Sequence, residues 1–203
     1  DTYTLAGVVC VLVAAKRCGV PLAVGARLGF ASGPDVVVYP TDRAAYSRLC
    51  RLLTLGKRRA PKGECHLTLH DLIEHEEGLL AIVDPPGALD AAFIQVAEGL
   101  RRVFGDRLSL AAAPAYAGDD AGRLAQLGHL SQHTGVPLLA TNRVLYHTPE
   151  RRPLQDVLTC IRHGCTIERA GYRLEANAER HLKDGAEMAR LFGAHPGAIA
   201  RAL

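Results

Sequence analysis

No Cys-x-x-Cys pair, no glycine-rich nucleotide loop and no apolar run of membrane length occurs in these 203 residues. Each absence removes a class of protein. The six cysteines (Cys10, Cys18, Cys50, Cys65, Cys160, Cys165) are scattered through apolar or helical stretches, so they read as reduced, small hydrophobes of a cytosolic protein rather than as a disulfide framework. The longest apolar run, Leu5 to Ala15, is about half of the ~20 residues that a membrane span needs, and no basic region precedes it. A soluble, cytoplasmic chain without a membrane partner is expected. Neither Gly-x-Gly-x-x-Gly nor Gly-x-x-x-x-Gly-Lys-Ser/Thr is present, which withdraws support from nucleotide-binding open sheets. The Gly-x-Ser-x-Gly elbow of serine hydrolases is missing too. Charge is nearly balanced: 24 Lys and Arg against 21 Asp and Glu give +3, far milder than a small dedicated nucleic-acid binder carries.

What is present is enough apolar residue, 48%, to bury one substantial core. Leu5 to Cys18 reads as a mostly buried helix closed by Gly19, and Val20 to Val24 as a strand ending at Gly25. Val36 to Tyr39 is a second strand. Thr41-Asp42 can cap a helix from Arg43 to Leu55, in which Tyr46, Leu49 and Leu53 are placed to face a core. A polar loop from Gly56 to Cys65 leads to a short helix from Thr68 to His75, a strand from Leu79 to Val83, and a helix from about Leu89 to Phe104. Leu108 to Ala112 and Pro137 to Thr141 are strands flanking a helix from Asp119 to His133. Strands joined by helices of this length imply an α/β fold with a parallel sheet covered on both faces. Pro153 to Leu203 reads as a helical appendage interrupted at Gly164, Gly171 and Pro196.

Three stretches carry a family resemblance. The first runs from Tyr39-Pro40-Thr41-Asp42-Arg43 through Tyr46, Leu49 and Leu53 to Gly56-Lys57-Arg58-Arg59 and Gly63-Glu64-Cys65. The second is Ala140-Thr141-Asn142-Arg143-Val144-Leu145-Tyr146-His147 with Leu154-Gln155-Asp156-Val157-Leu158. The third is Leu174-Glu175-Ala176-Asn177 through His181-Leu182-Lys183 to Glu187-Met188. Together they resemble the PHP (polymerase and histidinol phosphatase) domain of C-family DNA polymerases, most closely the bacterial error-prone branch, with the replicative DNA polymerase III alpha subunit as the alternative. The resemblance implies a PHP-type distorted (β/α)7 barrel, here lacking its first strands, followed by a helical extension. It divides the chain into an α/β region, 1–150, and a helical region, 151–203, leading toward the polymerase core. The start at Asp1 without an initiator Met agrees with an N-terminally incomplete domain, and exposed sheet edges and helix faces are then expected to make the isolated fragment prone to association.

Active members of the family resemble metal-dependent phosphoesterases with His, Asp, Glu and Cys ligands at strand ends. Carried onto this chain residue by residue, the resemblance puts the first His-x-His upstream of Asp1. An Asp-His pair corresponds to Asp1-Thr2, a Gly-x-Glu to Gly25-Ala26-Arg27, a strand-start His to Asp35, and a late Asp-x-His to Arg143-Val144-Leu145. Of these degenerate positions only Asp1 and Asp35 keep an oxygen ligand, and a guanidinium cannot ligate a cation. Arg27 and Arg143 are candidates to occupy the former metal site as built-in cations; the alternative is that both extend to solvent at strand ends.

Other groupings point less far. His129 and His133 share a helix face but lack the Glu and third ligand of a zincin site. Cys65, His66, His70 and His75 have no pair at zinc spacing, and Cys160, His163 and Cys165 fit packing better than a zinc knuckle. Lys57, Arg58, Arg59 and Lys62 form the one concentrated basic patch, able to neutralise duplex phosphates or to be a solvated loop.

The resemblance therefore implies a fragment of an error-prone, translesion DNA-directed DNA polymerase acting in DNA replication and damage-induced repair. Within it, this region is non-catalytic and needs no cofactor of its own, while the parent polymerase uses magnesium. Its partners are DNA through the parent, the remaining polymerase domains in cis and accessory translesion proteins. A residual metal-dependent phosphoesterase or 3′-5′ exonuclease and a free-standing binding module are the rival readings.

Overall fold

Short apolar strands and backbone register build the sheet. A computed structural model describes residues 1–203. Strand β2 (Val36–Pro40) is Val-Val-Val-Tyr-Pro, and its alternate residues Val36 and Val38 are fully buried. It pairs on one side with β1 (Ala26–Leu28), antiparallel through Ala26 and Val38, and on the other with β3 (Leu79–Val83), antiparallel through Val36 and Val83. Strand β4 (Leu108–Ala112) runs parallel to β3, and all five of its residues are buried. With β5 (Leu138–Ala140) the order is β1-β2-β3-β4-β5, an open sheet that does not close into a barrel.

The sheet is mixed, which corrects the expected all-parallel arrangement. After Pro40 the chain leaves along α2 (Arg43–Arg58) and returns through α3 (Leu69–Glu74) to the same end of β2, where Pro40 pairs with Leu79 and the Thr41 amide donates to the Gly78 carbonyl at 2.9 Å. Two helices, one out and one back, make the next strand start where the last one stopped, so the pair is antiparallel. The strand expected at Val20 to Val24 is also displaced, to Ala26–Leu28. Pro21 lacks an amide for a ladder. A side chain at Gly25 would sit 2.6 Å from the Val38 carbonyl oxygen and from the Tyr39 ring, so this glycine lets two backbones approach where β1 begins.

Helix α1 (Val8–Cys18) forms as expected, closed by Gly19 in the left-handed region, but it is not buried. None of its residues is buried, and Val9 is 70% exposed. Its apolar residues lie all round the helix, so the sequence had no single face to assign. Helix α2 is the opposite case: Asp42 accepts the Ala45 amide at 2.7 Å, and Ala45, Leu49, Leu52, Leu53 and Gly56 form one buried face. Tyr46, expected inside, is 38% exposed. The helix also runs three residues past Leu55, so Lys57 and Arg58 belong to its last turn rather than to the loop. In α4 (Ala91–Phe104) Asp90 caps, and Phe93, Ala97, Leu100 and Phe104 are buried at helical spacing.

Two compact units make up the chain, residues 1–111 with 130–137 and residues 112–129 with 138–203. The first centres on Leu28, Val36, Val38, Leu49, Leu72 and Phe104. In the second, α9 (Pro196–Ala200) packs on β5, and Phe192, Tyr146 and Ala198 are buried. Helix α5 (Asp120–Thr134) runs through the sequence of both; α6 (Arg152–His163), α7 (Ile167–Ala170) and α8 (Gly185–Leu191) complete the helical C-terminal stretch.

Short α3 depends on its cap. Thr68 accepts the Asp71 amide at 3.2 Å, and the Asp71 carboxylate takes the Thr68 amide and hydroxyl, each at 2.8 Å, plus Arg59 at 2.7 Å. Burial by itself would raise the Asp71 carboxyl, but the Thr68 donors and Arg59 outweigh it and hold the group below its ordinary value. Thr68→Ala is expected to destabilise by about 1 kcal/mol in urea denaturation. Because the folded pKa is depressed, the Asp71 contribution is complete above about pH 4 and fades as pH falls through the lowered value. An unchanged urea midpoint in the Thr68→Ala protein would contradict this role.

Candidate functional site

The alternation of β1 turns Ala26 and Leu28 into the core and leaves Arg27 on the other face, half-buried. The backbone of Asp1 to Tyr3 lies beside it. Arg27 donates its amide to the Asp1 carbonyl at 2.9 Å, and the Tyr3 amide donates to the Arg27 carbonyl at 3.0 Å, with Thr2 bridging Arg27 in parallel. Asp35, just before β2, and Asp84, just after β3, approach from the next strands; the Asp84 amide donates to the Asp35 carbonyl at 2.9 Å. One guanidinium nitrogen of Arg27 donates to both carboxylates, at 3.1 Å to Asp35 and 2.9 Å to Asp84. Burial would lower the Arg27 pKa, but the bonds to Asp84 and Asp35 overcome it and raise the group above its ordinary value.

Of the expected positions, Arg27 and Asp35 meet through their side chains, whereas Asp1 and Thr2 reach Arg27 through the backbone and the Asp1 carboxylate accepts the Gly7 amide at 3.4 Å. Asp84 was missed by the sequence reading. Its signal was there: a carboxylate immediately after the apolar run Leu79–Val83, at the strand end where α/β folds place functional groups. The donor set does not suit a divalent ion, because the two closest carboxylates already share a guanidinium. No group of three or more His, Cys, Asp or Glu side chains is arranged to hold a metal. The histidines near Cys65 have local partners: His66 with Glu64 at 3.3 Å, His70 with Glu74 at 3.7 Å, and His75 with the Asp71 carbonyl at 2.9 Å.

Arg143 and Leu145 sit in the second unit. Arg143 has φ +47°, and its carbonyl accepts from Arg180 at 2.8 Å; the Leu145 amide donates to the Arg180 carbonyl at 2.8 Å. The Arg123 guanidinium has a lowered pKa, first from burial and then from Arg143. Asn142, which precedes Arg143, is buried and donates to the carbonyls of Glu179 and His181.

All four residues of the basic patch, Lys57, Arg58, Arg59 and Lys62, are exposed, and Arg59 is also bound to the Asp71 carboxylate. Arg59 therefore serves the α3 cap. The motif residues of the third stretch hold the segment after β4 in place. Asn177 donates to the Ala115 carbonyl at 2.8 Å, Lys183 lies 4.8 Å from the Tyr116 ring centre and 2.8 Å from Glu179, and the Tyr116 hydroxyl donates to Glu187 at 3.0 Å. Bonds from Arg190, then Tyr116, pull the Glu187 carboxyl down to about 2.

A depressed carboxylate stabilises the fold above its unfolded pKa and stops doing so as pH falls through the folded one. The Glu187 network should hold at pH 5 and open as pH approaches 2. In carbon-detected NMR the Glu187 carboxyl is expected to titrate near 2 in the native chain and distinctly higher in Tyr116→Phe. An ordinary glutamate titration in both proteins would refute the network.

No family model matches the chain. Among curated proteins it is 53% identical over 205 residues to the "Error-prone DNA polymerase" of Caulobacter vibrioides, covering 99% of this chain and 19% of that protein. It is 54% identical over 184 residues to the error-prone DNA polymerase of Rhodopseudomonas palustris strain BisB5, covering 90% and 17%. Against "Error-prone DNA polymerase 1" of Agrobacterium fabrum it is 44% identical over 203 residues, covering 100% and 18%. The chain spans about a fifth of the length of these relatives. Over essentially all of its residues it is homologous to one stretch of the bacterial error-prone DNA polymerases.

Proposed function

We propose that this chain is a degenerate PHP domain of an error-prone, translesion DNA-directed DNA polymerase, with a structural and non-catalytic role beside the polymerase core. The observation that carries the reading is the Arg27 guanidinium between Asp35 and Asp84. In a site built for phosphoester hydrolysis, carboxylates gather around metal ions that activate water and hold phosphate oxygens. Here a side-chain cation takes both carboxylates, offsets one of their two charges and offers no open coordination position. Asp1, Thr2, Arg27, Asp35, Arg143 and Leu145 are read as the degenerate ligand positions.

Homology with error-prone DNA polymerases over the whole chain supports the wider assignment. Residues 1–150 are then the PHP-like α/β region and 151–203 the helical extension. Nucleotidyl transfer, its magnesium ions, damage-induced repair and replication belong in this proposal to the rest of the polymerase. So do contacts with accessory translesion proteins. No helix is long and apolar enough to cross a membrane, in keeping with a proposed cytoplasmic location.

The test is crystals soaked in manganese or zinc, read by anomalous scattering, together with a manganese-supplemented nuclease assay. No anomalous peak between Arg27, Asp35 and Asp84 and no hydrolysis of single-stranded DNA are expected. A metal bound there, or metal-dependent cleavage by the chain, would restore the phosphoesterase or exonuclease reading.

Lys57, Arg58 and Lys62, with Arg59 at the helix end, are proposed to meet DNA phosphates in the intact polymerase. Cations at phosphates release counterions, so each contact adds about one unit to the salt slope of binding. Reversing the charge of Lys57, Arg58 and Lys62, leaving Arg59 to its cap, should weaken DNA binding by the polymerase and flatten that slope. Identical binding isotherms across salt concentrations would exclude the patch.

A further inference from the structure

Helix α6 has its faces inverted. Arg152, Gln155, Asp156, Thr159 and Cys160, at i, i+3, i+4, i+7 and i+8, form the inward stripe and are half-buried or buried. Arg152 donates to the Glu175 carbonyl and pairs with Asp156 at 3.5 Å, while Thr159 bonds back to the Gln155 carbonyl at 3.0 Å. The apolar residues Leu154, Val157, Leu158 and Ile161 have the i, i+3, i+4, i+7 spacing of a core-facing stripe, yet they are 53%, 50%, 48% and 71% exposed. A helix that turns four contiguous aliphatic side chains to water and its polar residues inward has an apolar face that some further surface would cover.

We propose that this stripe is the docking face for another segment of the same polymerase chain, an apolar helical segment with acidic flanks; the inference rests on the reading that these residues are one region of a longer error-prone polymerase. Two observations select that occupant. The relatives are about five times the length of this chain, so on that reading most of the polypeptide lies outside the structure and is tethered to it at high effective concentration. The stripe also shares Val157 and Ile161 with a cleft of about 800 Å³ whose lining includes Ile167, His163, Arg169 and Arg173 and no Asp or Glu. Aliphatic side chains beside two arginines match an amphipathic segment whose carboxylates border its apolar anchors, the helix-in-groove mode of recognition. Nucleic acid is the weaker match: the two arginines can meet phosphates, but the four aliphatic side chains offer bases no stacking face.

The experiment is carbene footprinting of the full-length protein expressed from its gene, resolved by residue and compared with the same protein unfolded in urea. The exposures of 48–71% leave about half of the labelling at Leu154, Val157, Leu158 and Ile161 if the stripe is open. Near-complete protection, independent of protein concentration and of DNA, is the expected result. In parallel, Ile161→Glu should lower the melting temperature of the full-length protein, whereas at an open surface position it would leave it unchanged. Labelling at the open level, protection that appears only at high protein concentration, or protection that requires primed DNA would each overturn the proposal; the last two would identify a second copy or nucleic acid instead. Primer extension by the same preparation separates the two readings. Extension with an open stripe sinks the docking face alone, and a protected stripe without extension sustains docking while sinking the polymerase assignment.

Discussion

One guanidinium ties together the part of the sheet on which the site depends. Arg27 reaches from β1 to Asp35 before β2 and to Asp84 after β3, so three successive strands are joined at their ends by a single charge. Asp84 is only 8% exposed, and such a carboxylate needs a nearby cation or several donors to remain in place. The terminal segment Asp1 to Tyr3 is held to the same residue by two backbone hydrogen bonds. Ion pairing and backbone pairing therefore converge at Arg27. The chemistry follows: the two carboxylates share one cation supplied from within the chain.

The family-like motifs divide by physical role once their contacts are known. Thr41, Asp42 and Arg48 secure α2 and the turn before β3: Thr41 donates to the Gly78 carbonyl at 2.8 Å, Asp42 caps the helix, and Arg48 donates to the Glu77 carbonyl at 2.8 Å. Asn177, Lys183 and Glu187 fasten the segment that follows β4. These residues contribute to shape through caps and carbonyl contacts, and none of them needs a reacting substrate to account for its position. Much of what makes the sequence recognisable is thus the hydrogen bonding of irregular segments, where the backbone has no ladder of its own and side chains must satisfy it.

Legibility in the sequence followed the kind of signal available. Helix α2 was readable because Asp42 precedes an apolar pattern of helical period, and its cap is present; α3 and α4 were placed by their apolar pattern, and their caps Thr68 and Asp90 emerged only in the structure. Exposure was not readable where apolarity lacked a face, as in α1, or where the face is turned outward, as in α6. Tyr46 has helical spacing with Leu49 and Leu53 yet lies at the border of the buried face, and its amphipathic side chain tolerates that border. Asp84 escaped because an isolated Asp before two prolines looks like a loop residue until the strands are placed side by side.

By itself, the sequence determined the alternation of helices and strands, the Asp42 cap and the side chains that stand at Thr2, Arg27, Arg143 and Leu145, because these depend on local hydrogen bonding and on residue identity. Only the tertiary structure decided strand direction, the partnership of Arg27 with Asp84, 57 residues away, and which apolar stripes stay in water. Those outcomes are non-local. They arise from how a connection returns to a strand end and from which charges and surfaces it brings within contact distance, and no window of neighbouring residues contains that information.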